Sequence, residues 1–512
     1  MQNNTAESQP QQKANGTSLS PQFKGLSDPE AITGHINQIT KRPPAIPHAE
    51  VLNKILDDVT PVDFEAEANP EGKTNYYIKK EFYEVISADR IKKIANAKDR
   101  GLRASDGSVY IYNSEYWQRL SNDRFKHFLR KSAKKMHTSV YTSMDTAQHF
   151  RFIESLSKQL ISVSTLPKPE TDKDTVLINL QNGTFQITDG KTQLRPFNKS
   201  DFLTYQLPFK HNKGATAPIF EQYLNEVLPD KDSQKVLAEY TGLLFVKNGS
   251  NNLKMEKVLL LYGKGGNGKS VYFDVITALL GKENITHFTL EDLTDSKGYH
   301  LSKIENKLLN YASEISDKHN PDKFNALVSG EAITARPIYQ EPRVIEHYAK
   351  LIFNCNKIPR APETGTADAY YRRLLPIHFE QKIAKGKIDK KLSNKIISAE
   401  LSGVFNWVLS GLERALEQGN FTECQKSQDL LDQHKLESDN VRMFLDDCNY
   451  QPSGIGITLL KDIYRLYKNY CEDYGYRACS NKNLSSRLLG AGYIKSDKRL
   501  PAGTAFHIEK KI

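Results

Sequence analysis

The sequence predicts an α/β fold: a phosphate-loop core with a helical region ahead of it and a winged helix at its C-terminal end. Three observations predict it. A strand-like run at 257–262 leads into a glycine-rich loop ending in Lys269-Ser270 and continues as a helix. From 254 to about 379, apolar strand-like runs alternate with helical stretches, the pattern of a parallel sheet covered by helices. Past about 438, three short helical stretches are followed by a turn and two β-like pieces.

The chain has 512 residues, enough for roughly two to four domains with substantial cores. Hydrophobic residues make up 38% and charged residues 26%, and the longest apolar runs, such as 258–262, fall far short of a membrane span. No membrane is expected as a partner. Cys355, Cys424, Cys448, Cys471 and Cys479 are odd in number and form no CxxC pair, which argues against a disulfide framework and a zinc ribbon and fits the cytoplasm of a bacterial cell or other host. A net charge of +10 favours a polyanionic partner through counterion release, although an ordinary soluble basic protein accounts for it equally.

Along the chain, residues 1–27 read as a disordered leader, rich in Gln, Asn, Ser and Thr and lacking a charged-then-apolar signal pattern. Residues 28–165 read as a mixed α/β domain, with charged helical stretches at 49–58 and 122–136 and a strand turn at 110–116, and carry no assignable motif. A proline-bearing segment at 165–174 precedes a helical domain over 175–250. That domain opens with a β-like run at 175–180 and the turn Gln181-Asn182-Gly183, where Asn-Gly supplies positive φ angles, and becomes helical over 219–246. The nucleotide core spans 251–425 and closes with a helix over 399–418, and 438–512 forms the winged helix. No internal repeat or heptad run is present.

Residues Gly263-Lys264-Gly265-Gly266-Asn267-Gly268-Lys269-Ser270 match GxxxxGK[ST] in full. Glycines let successive backbone N–H groups converge on a polyphosphate, the helix N-terminus adds partial positive charge, Lys269 reaches the β/γ-phosphates and Ser270 ligates Mg²⁺. Gly263, Gly265, Gly266, Asn267, Gly268, Lys269 and Ser270 are therefore the candidate nucleotide residues. Such a loop needs a carboxylate on a neighbouring strand, and the run Leu308-Leu309-Asn310-Tyr311-Ala312-Ser313 ends in Glu314. A further buried-looking strand, 350–355, runs into Asn356, placed to sense the γ-phosphate or orient water. Arg372 and Arg373 precede another β-like run, where a cation could reach a neighbouring subunit's nucleotide, or form a surface ion pair.

Together GKGGNGKS, LLNYASE, LVSGEAITARPIY, LIFNCNKIP and YYRRLLPIHF resemble the consecutive motifs of superfamily three helicases of the phage and plasmid primase-helicase family, the group that includes poxvirus and satellite-phage replicative helicases. The resemblance runs from about residue 175 to the C-terminus. It implies an AAA+-like ATPase assembling as a hexamer around DNA, with ATP and Mg²⁺ at Lys269 and Ser270, Glu314 activating water and sharing the metal, Asn356 as sensor, and Arg372 or Arg373 acting in trans. It further implies a hairpin at 333–347, with its tip near Gln340-Glu341-Pro342-Arg343, whose Arg336, Arg343 and His347 would face DNA in the channel. A structural role for any one of them is as good a reading. Two positions depart from the family: Ser313 stands where many relatives have a second acid, and Asn325 where a lysine is common, with Lys323 nearby.

In the C-terminal segment, a helix over 459–471 precedes one over 481–489 with Ser480 as N-cap. Lys482 and Arg487 would face phosphates from this recognition helix, with Lys495, Lys498 and Arg499 on the wing; a solvated basic face explains these charges equally. The expected activity is ATP-dependent unwinding of DNA during replication of a mobile genetic element, on single-stranded and forked DNA, beside a separate primase or polymerase. The competing readings are an ATP-switched origin-binding initiator and a protein-remodelling or packaging ATPase. Primase activity is not expected, since Asp172-Lys173-Asp174 lies in the proline-bearing segment rather than on a strand.

Overall fold

A computed structural model of the chain describes residues 46–97, 100–105, 107–137, 147–165, 174–249, 255–316, 318–338, 341–361, 367–384, 386, 388–476, 478–497 and 503–511. The expected leader, most of the proline-bearing segment with Asp172 and Lys173, Gln340 of the hairpin tip, and Lys498 and Arg499 lie outside the described residues. Residues 48–512 form one compact unit, described below.

Its first part packs α1 (His48–Asp57), α2 (Phe64–Ala68) and α3 (Lys80–Asn96) with an antiparallel meander of β1 (Gly101–Ser105), β2 (Ser108–Tyr112) and β3 (Trp117–Arg119). Then come α4 (Asn122–Met136) and α5 (Phe150–Ser164). The helix α4 starts where the Ser121 hydroxyl accepts from Arg124 N, and it buries Phe125, Phe128, Leu129, Ala133 and Met136, a single stripe at helical spacing. Two histidines are enclosed here: His48 is 6% exposed and His137 1%.

A second antiparallel meander follows: β4 (Thr175–Leu180), β5 (Gly183–Thr188) and β6 (Lys191–Arg195). The domain expected over 175–250 opens with the expected strand at 175–180, adds two further strands, β5 paired with β4 and β6 with β5, and is helical in α6 (Pro218–Val227) and α7 (Lys231–Leu243), close to the expected 219–246. The β4–β5 turn departs from expectation. Leu180 pairs with Gly183 across Gln181-Asn182, and the positive φ of 147° falls on Gly183 and not on Asn182. Asn182 instead anchors the chain downstream, donating Nδ2 to His211 O at 2.9 Å and accepting from His211 N at 2.9 Å. The two meanders are stitched together: Trp117 N donates to Leu203 O at 2.8 Å, Trp117 Nε1 to Lys199 O at 2.9 Å, and Asn179 Nδ2 to Glu115 O at 2.8 Å.

The central sheet is assembled from β7 (Val258–Tyr262), β8 (Ile285–Thr286), β9 (Leu309–Ala312), β12 (Lys350–Cys355) and β13 (Leu374–His378), in the order β13-β7-β12-β9-β8, every pair parallel. An antiparallel hairpin of β10 (Ile333–Ala335) and β11 (Arg343–Ile345) intervenes before β12. The connecting helices are α8 (Lys269–Leu280), α9 (Leu290–Leu293), α10 (Leu301–Ile304), α11 (Pro321–Ser329) and α12 (Ala367–Tyr371), and α13 (Leu392–Ala399), α14 (Leu401–Gln418) and α15 (Gln425–Ser438) follow. Strand alternation divides the core in two. Leu259, Leu261, Leu309, Ile352 and Ile377 join the helices α6, α7, α8 and α14 on one face; Val258, Leu260, Phe353 and Leu374 join α11 and Leu431 of α15 on the other.

The core does not divide near residue 250. The helices α7 and α14, from opposite ends of the sheet region, approach so closely that a Cβ on Gly242 would lie 2.6 Å from Leu412 Cβ and one on Gly411 2.4 Å from the Ala238 carbonyl carbon. Two buried carboxylates lock the same junction. Glu400 accepts from Ile219 N and Phe220 N, each at 2.9 Å, capping the start of α6. Glu239 accepts from Arg414 Nε at 2.6 Å and from Thr422 N at 2.8 Å.

The last part comprises α16 (Asn440–Asp447), β14 (Tyr450–Pro452), β15 (Thr458–Leu459), α17 (Leu460–Asp473), α18 (Asn481–Gly490), β16 (Ile494–Lys495) and β17 (Ala505–Lys510). The strand β17 pairs with the other three, and Phe444, Ile463, Tyr467, Leu484, Leu488 and Phe506 form a separate small core. All five cysteines are free thiols, and no described helix is long and apolar enough to cross a membrane.

Candidate functional site

Parallel strands bring four segment ends to one edge. β7 pairs with β13 as Tyr262↔His378 and with β12 as Tyr262↔Cys355, and β12 pairs with β9 as Phe353↔Ala312. The glycine loop, Asn356 and Glu314 therefore all leave the carboxyl edge of the sheet, where ligands of open α/β sheets bind. Their order along the edge is loop, Asn356, Glu314. With strands ~4.8 Å apart, Glu314 starts about 10 Å sideways from the loop, with Asn356 on the strand between. Ser270, Glu314 and Asn356 are all exposed at this edge.

The loop conformation depends on glycine at three positions, since Gly266 at φ 81° also lies in the left-handed region even though nothing crowds it. Gly263 has φ 149°, and a Cβ there would sit 2.3 Å from Asn267 Nδ2 and 2.5 Å from Phe379 O. Gly268, at φ 88°, starts α8, and a Cβ would meet Val227 Cγ1 at 2.8 Å. Gly265 and Gly266 instead border open space, so the tip of the loop is uncrowded. Gly263 N donates to Cys355 O at 3.0 Å, Asn267 Nδ2 to Phe379 O at 2.7 Å, and Tyr223 Oη to Gly268 O at 2.9 Å. Tyr223, from α6, is a site residue that sequence reasoning missed; no spacing relates it to a loop 45 residues away.

Lys269 lies inside this cradle, 9% exposed. Its Nζ donates to Gly263 O at 2.6 Å and Asn267 Oδ1 at 2.8 Å, both neutral acceptors, and it forms no ion pair among the described residues. Burial pulls its amine below the ordinary lysine range, and the nearby Cys355 thiol, itself pushed up to about 12 by burial, carries no charge to offset the ammonium at neutral pH. A buried cation without a carboxylate is costly unless an anion approaches, so the residues present fit a polyphosphate. Beside it, Tyr311 Oη donates to Asn354 Oδ1 at 2.7 Å, tying β9 to β12 beneath the candidate acid and sensor.

The two arginines lie at the opposite edge. Both precede Leu374, whose register partner Val258 is four residues before Tyr262, so they stand roughly 13 Å or more from their own loop. The structure separates them. Arg373 is 8% exposed, donates Nη1 to Ala369 O at 2.7 Å and faces Glu256 at 3.6 Å, so it is held within its own chain. Arg372 is exposed.

Among the hairpin candidates, Arg343 was expected at the tip but pairs with Ala335 inside the hairpin, with its guanidinium bound to Glu305. The carboxylate lies beside β11 and captures it. His347 follows β11 at the hairpin base, its carbonyl accepting from Asn306 N at 3.0 Å, while Arg336 is exposed just after β10. Exposed Ile338 and Val344 add an apolar element that charge-based reasoning passed over. Lys323 turns inward to the Asp295 carbonyl. In the last part, Arg487 points back to Asn440 Oδ1 at 3.2 Å and Asp439 Oδ1 at 3.6 Å, at the start of α16. Lys482 and Lys495 are exposed.

Residues 85–229 match the family described as D5 N terminal like, and residues 261–373 match a family of unknown function, DUF5906. A provisionally named helicase of Acanthamoeba polyphaga mimivirus is 25% identical over 233 residues, covering 42% of this chain and 23% of that protein. The chain thus spans about a quarter of the length of this relative. Two apo structures of the NrS-1 C-terminal region superpose with TM-scores of 0.47 and 0.45 at 11% and 12% identity, each covering 82% of this chain and 98% of the other.

Proposed function

We propose that this chain is an ATP-dependent DNA helicase of the superfamily three type, with an AAA+-like phosphate-loop motor, that unwinds DNA during replication of a phage, plasmid or related element. The observation that carries the reading is the buried Lys269 ammonium, facing only neutral oxygens inside the glycine loop, with Asn356 and Glu314 set in line along the same edge. The D5 N-terminal-like and DUF5906 regions and the helicase-named viral relative support it.

In this reading Gly263, Gly265, Gly266, Asn267 and Gly268 present backbone to the phosphates of ATP, Lys269 pairs with them, and Ser270 and Glu314 hold Mg²⁺. The metal, when bound, neutralises charge developing on the transferred phosphoryl group. Glu314 accepts the proton of the attacking water and Asn356 orients that water. Arg372, exposed and distant from its own loop, serves the nucleotide of the next subunit in a homo-oligomeric ring, expected to be a hexamer. The last part acts as a winged helix touching DNA through Lys482 and Lys495, and Arg336 contacts the strand in the channel.

The test is ATP hydrolysis with and without single-stranded DNA, together with forked-duplex unwinding, for wild type and Lys269→Ala. Stimulation by DNA and strand separation, both absent in the variant, are expected. Hydrolysis indifferent to DNA would replace the helicase reading with a remodelling ATPase.

A further inference from the structure

The D5-like region carries a surface feature that the motor reading leaves unused. Along α4, Arg124, His127, Arg130, Lys131 and Lys134 are all exposed, whereas Phe125, Phe128, Leu129 and Met136 are buried. At 3.6 residues per turn the exposed set covers an arc of about 120° on one face of the helix. Asp123 is the acid on that arc, and Arg124, Arg130, Lys131 and Lys134 make no ion pair with a carboxylate among the described residues. On the flank, Lys126 is neutralised by Glu154 of α5 at 3.3 Å, so the basic face beside it is selectively left open.

A second observation comes from α5. Phe150, one helical turn before Glu154 and on the same face, is 55% exposed, with the Arg151 guanidinium over its ring at 5.7 Å and the His149 ring 4.7 Å from it. An exposed aromatic ring with an attendant guanidinium, near a row of cations that have no carboxylate partner among the described residues, provides both parts of a single-strand site: charges for the backbone and a π-face for a base. An anionic membrane is the poorer fit, because a surface-lying helix needs apolar residues next to its basic ones, and those of α4 are buried inside the fold.

We infer that the exposed face of α4, with Phe150 at the start of α5, is a binding site for single-stranded DNA, separate from the motor's channel contacts. Arg124, Arg130, Lys131 and Lys134 neutralise successive phosphates, and Phe150 stacks on a base. The site adds a sequence-independent grip that holds the emerging or entering strand.

The experiment uses the full chain without nucleotide. Binding of a fluorescent oligo-dT strand, a duplex of equal length and phosphatidylserine vesicles is followed across salt concentrations. The wild type is compared with Arg124→Gln/Arg130→Gln/Lys131→Gln/Lys134→Gln and, separately, with Phe150→Ala. Removing four phosphate contacts should reduce the log–log salt slope for the single strand by about 3 and weaken binding at low salt by more than about tenfold. Phe150→Ala should weaken single-strand binding about tenfold and leave the duplex unaffected. Unchanged affinity and slope in the quadruple variant, or a loss confined to vesicles, overturns the inference. DNA-stimulated hydrolysis reports on the motor independently. An unaltered slope with stimulation intact refutes this site alone, whereas a lost slope in a protein that never hydrolyses ATP refutes the motor alone.

Discussion

Replacing Arg372 and Arg373 one at a time should produce opposite phenotypes, although the residues are adjacent and chemically identical. Arg373 is buried, its Nη1 bonds the Ala369 carbonyl at 2.7 Å and Glu256 is its ion partner. Truncation to alanine removes a charge-assisted hydrogen bond and its packing, a loss of about 2–3 kcal/mol, discounted because Glu256 is partly exposed and regains water. Arg372→Ala touches an exposed side chain and should change stability by less than about 0.5 kcal/mol. Urea unfolding reads the first effect. Hydrolysis reads the second: Arg372→Ala should be inactive alone yet complement Lys269→Ala, since a mixed ring contains interfaces with an intact Lys269 on one side and an intact Arg372 on the other. Random equimolar mixing makes about a quarter of the interfaces complete. Normal hydrolysis by Arg372→Ala, or a mixture as inactive as its components, would refute the assignment in trans; an Arg373→Ala protein as stable as wild type would refute the structural role of its neighbour.

Three further outcomes are expected. Glu314→Gln should retain ATP binding, measured with a fluorescent analogue, while hydrolysis falls by about a hundredfold or more; joint loss of both would make Glu314 a structural residue. Glu400→Ala leaves Ile219 N and Phe220 N without their shared acceptor and should cost about 2–4 kcal/mol in urea unfolding, whereas a change near zero would mean that α6 is capped otherwise. Burial lowers both His48 and His137 to about 4, so between that value and the ordinary 6.5 the unfolded chain binds more protons than the folded one. Stability present above 6.5 should therefore fall on acidification, by on the order of 2 kcal/mol per histidine at pH 5, and His137→Gln should show about half the loss between pH 7 and pH 5.

The sequence was most informative where a function needs a local backbone shape or an unbroken element. The loop Gly263 to Ser270 could be read because its chemistry resides in consecutive residues; α4 could be read because its apolar residues keep the helical period from end to end, and β4 because it is a short apolar run bounded by a turn signal. The reading of 175–250 as a helical domain placed the β4–β5 hairpin but overlooked β6, a mostly exposed polar strand whose signal comes from its pairing with β5 and not from its own pattern. The Asn-Gly rule placed the hairpin correctly and its strained angle wrongly, because Asn182 is committed to His211.

Charged side chains show the same division more sharply. Sequence alone determined that cations stand at 336, 343, 372, 373, 482 and 487, and roughly which element each one belongs to or adjoins. Tertiary structure decided which were free: Glu305 captures Arg343, Ala369 and Glu256 hold Arg373, and the start of α16 takes Arg487, whereas Arg336, Arg372 and Lys482 remain exposed. The same holds for Lys269, whose identity belongs to the motif but whose lack of a carboxylate partner belongs to the packing of β12 and β13 around the loop. Backbone conformation is set within a few residues and is written locally, while the electrostatic state of a long, flexible side chain depends on whichever residue the fold brings within a few ångströms, and that residue is generally distant in sequence.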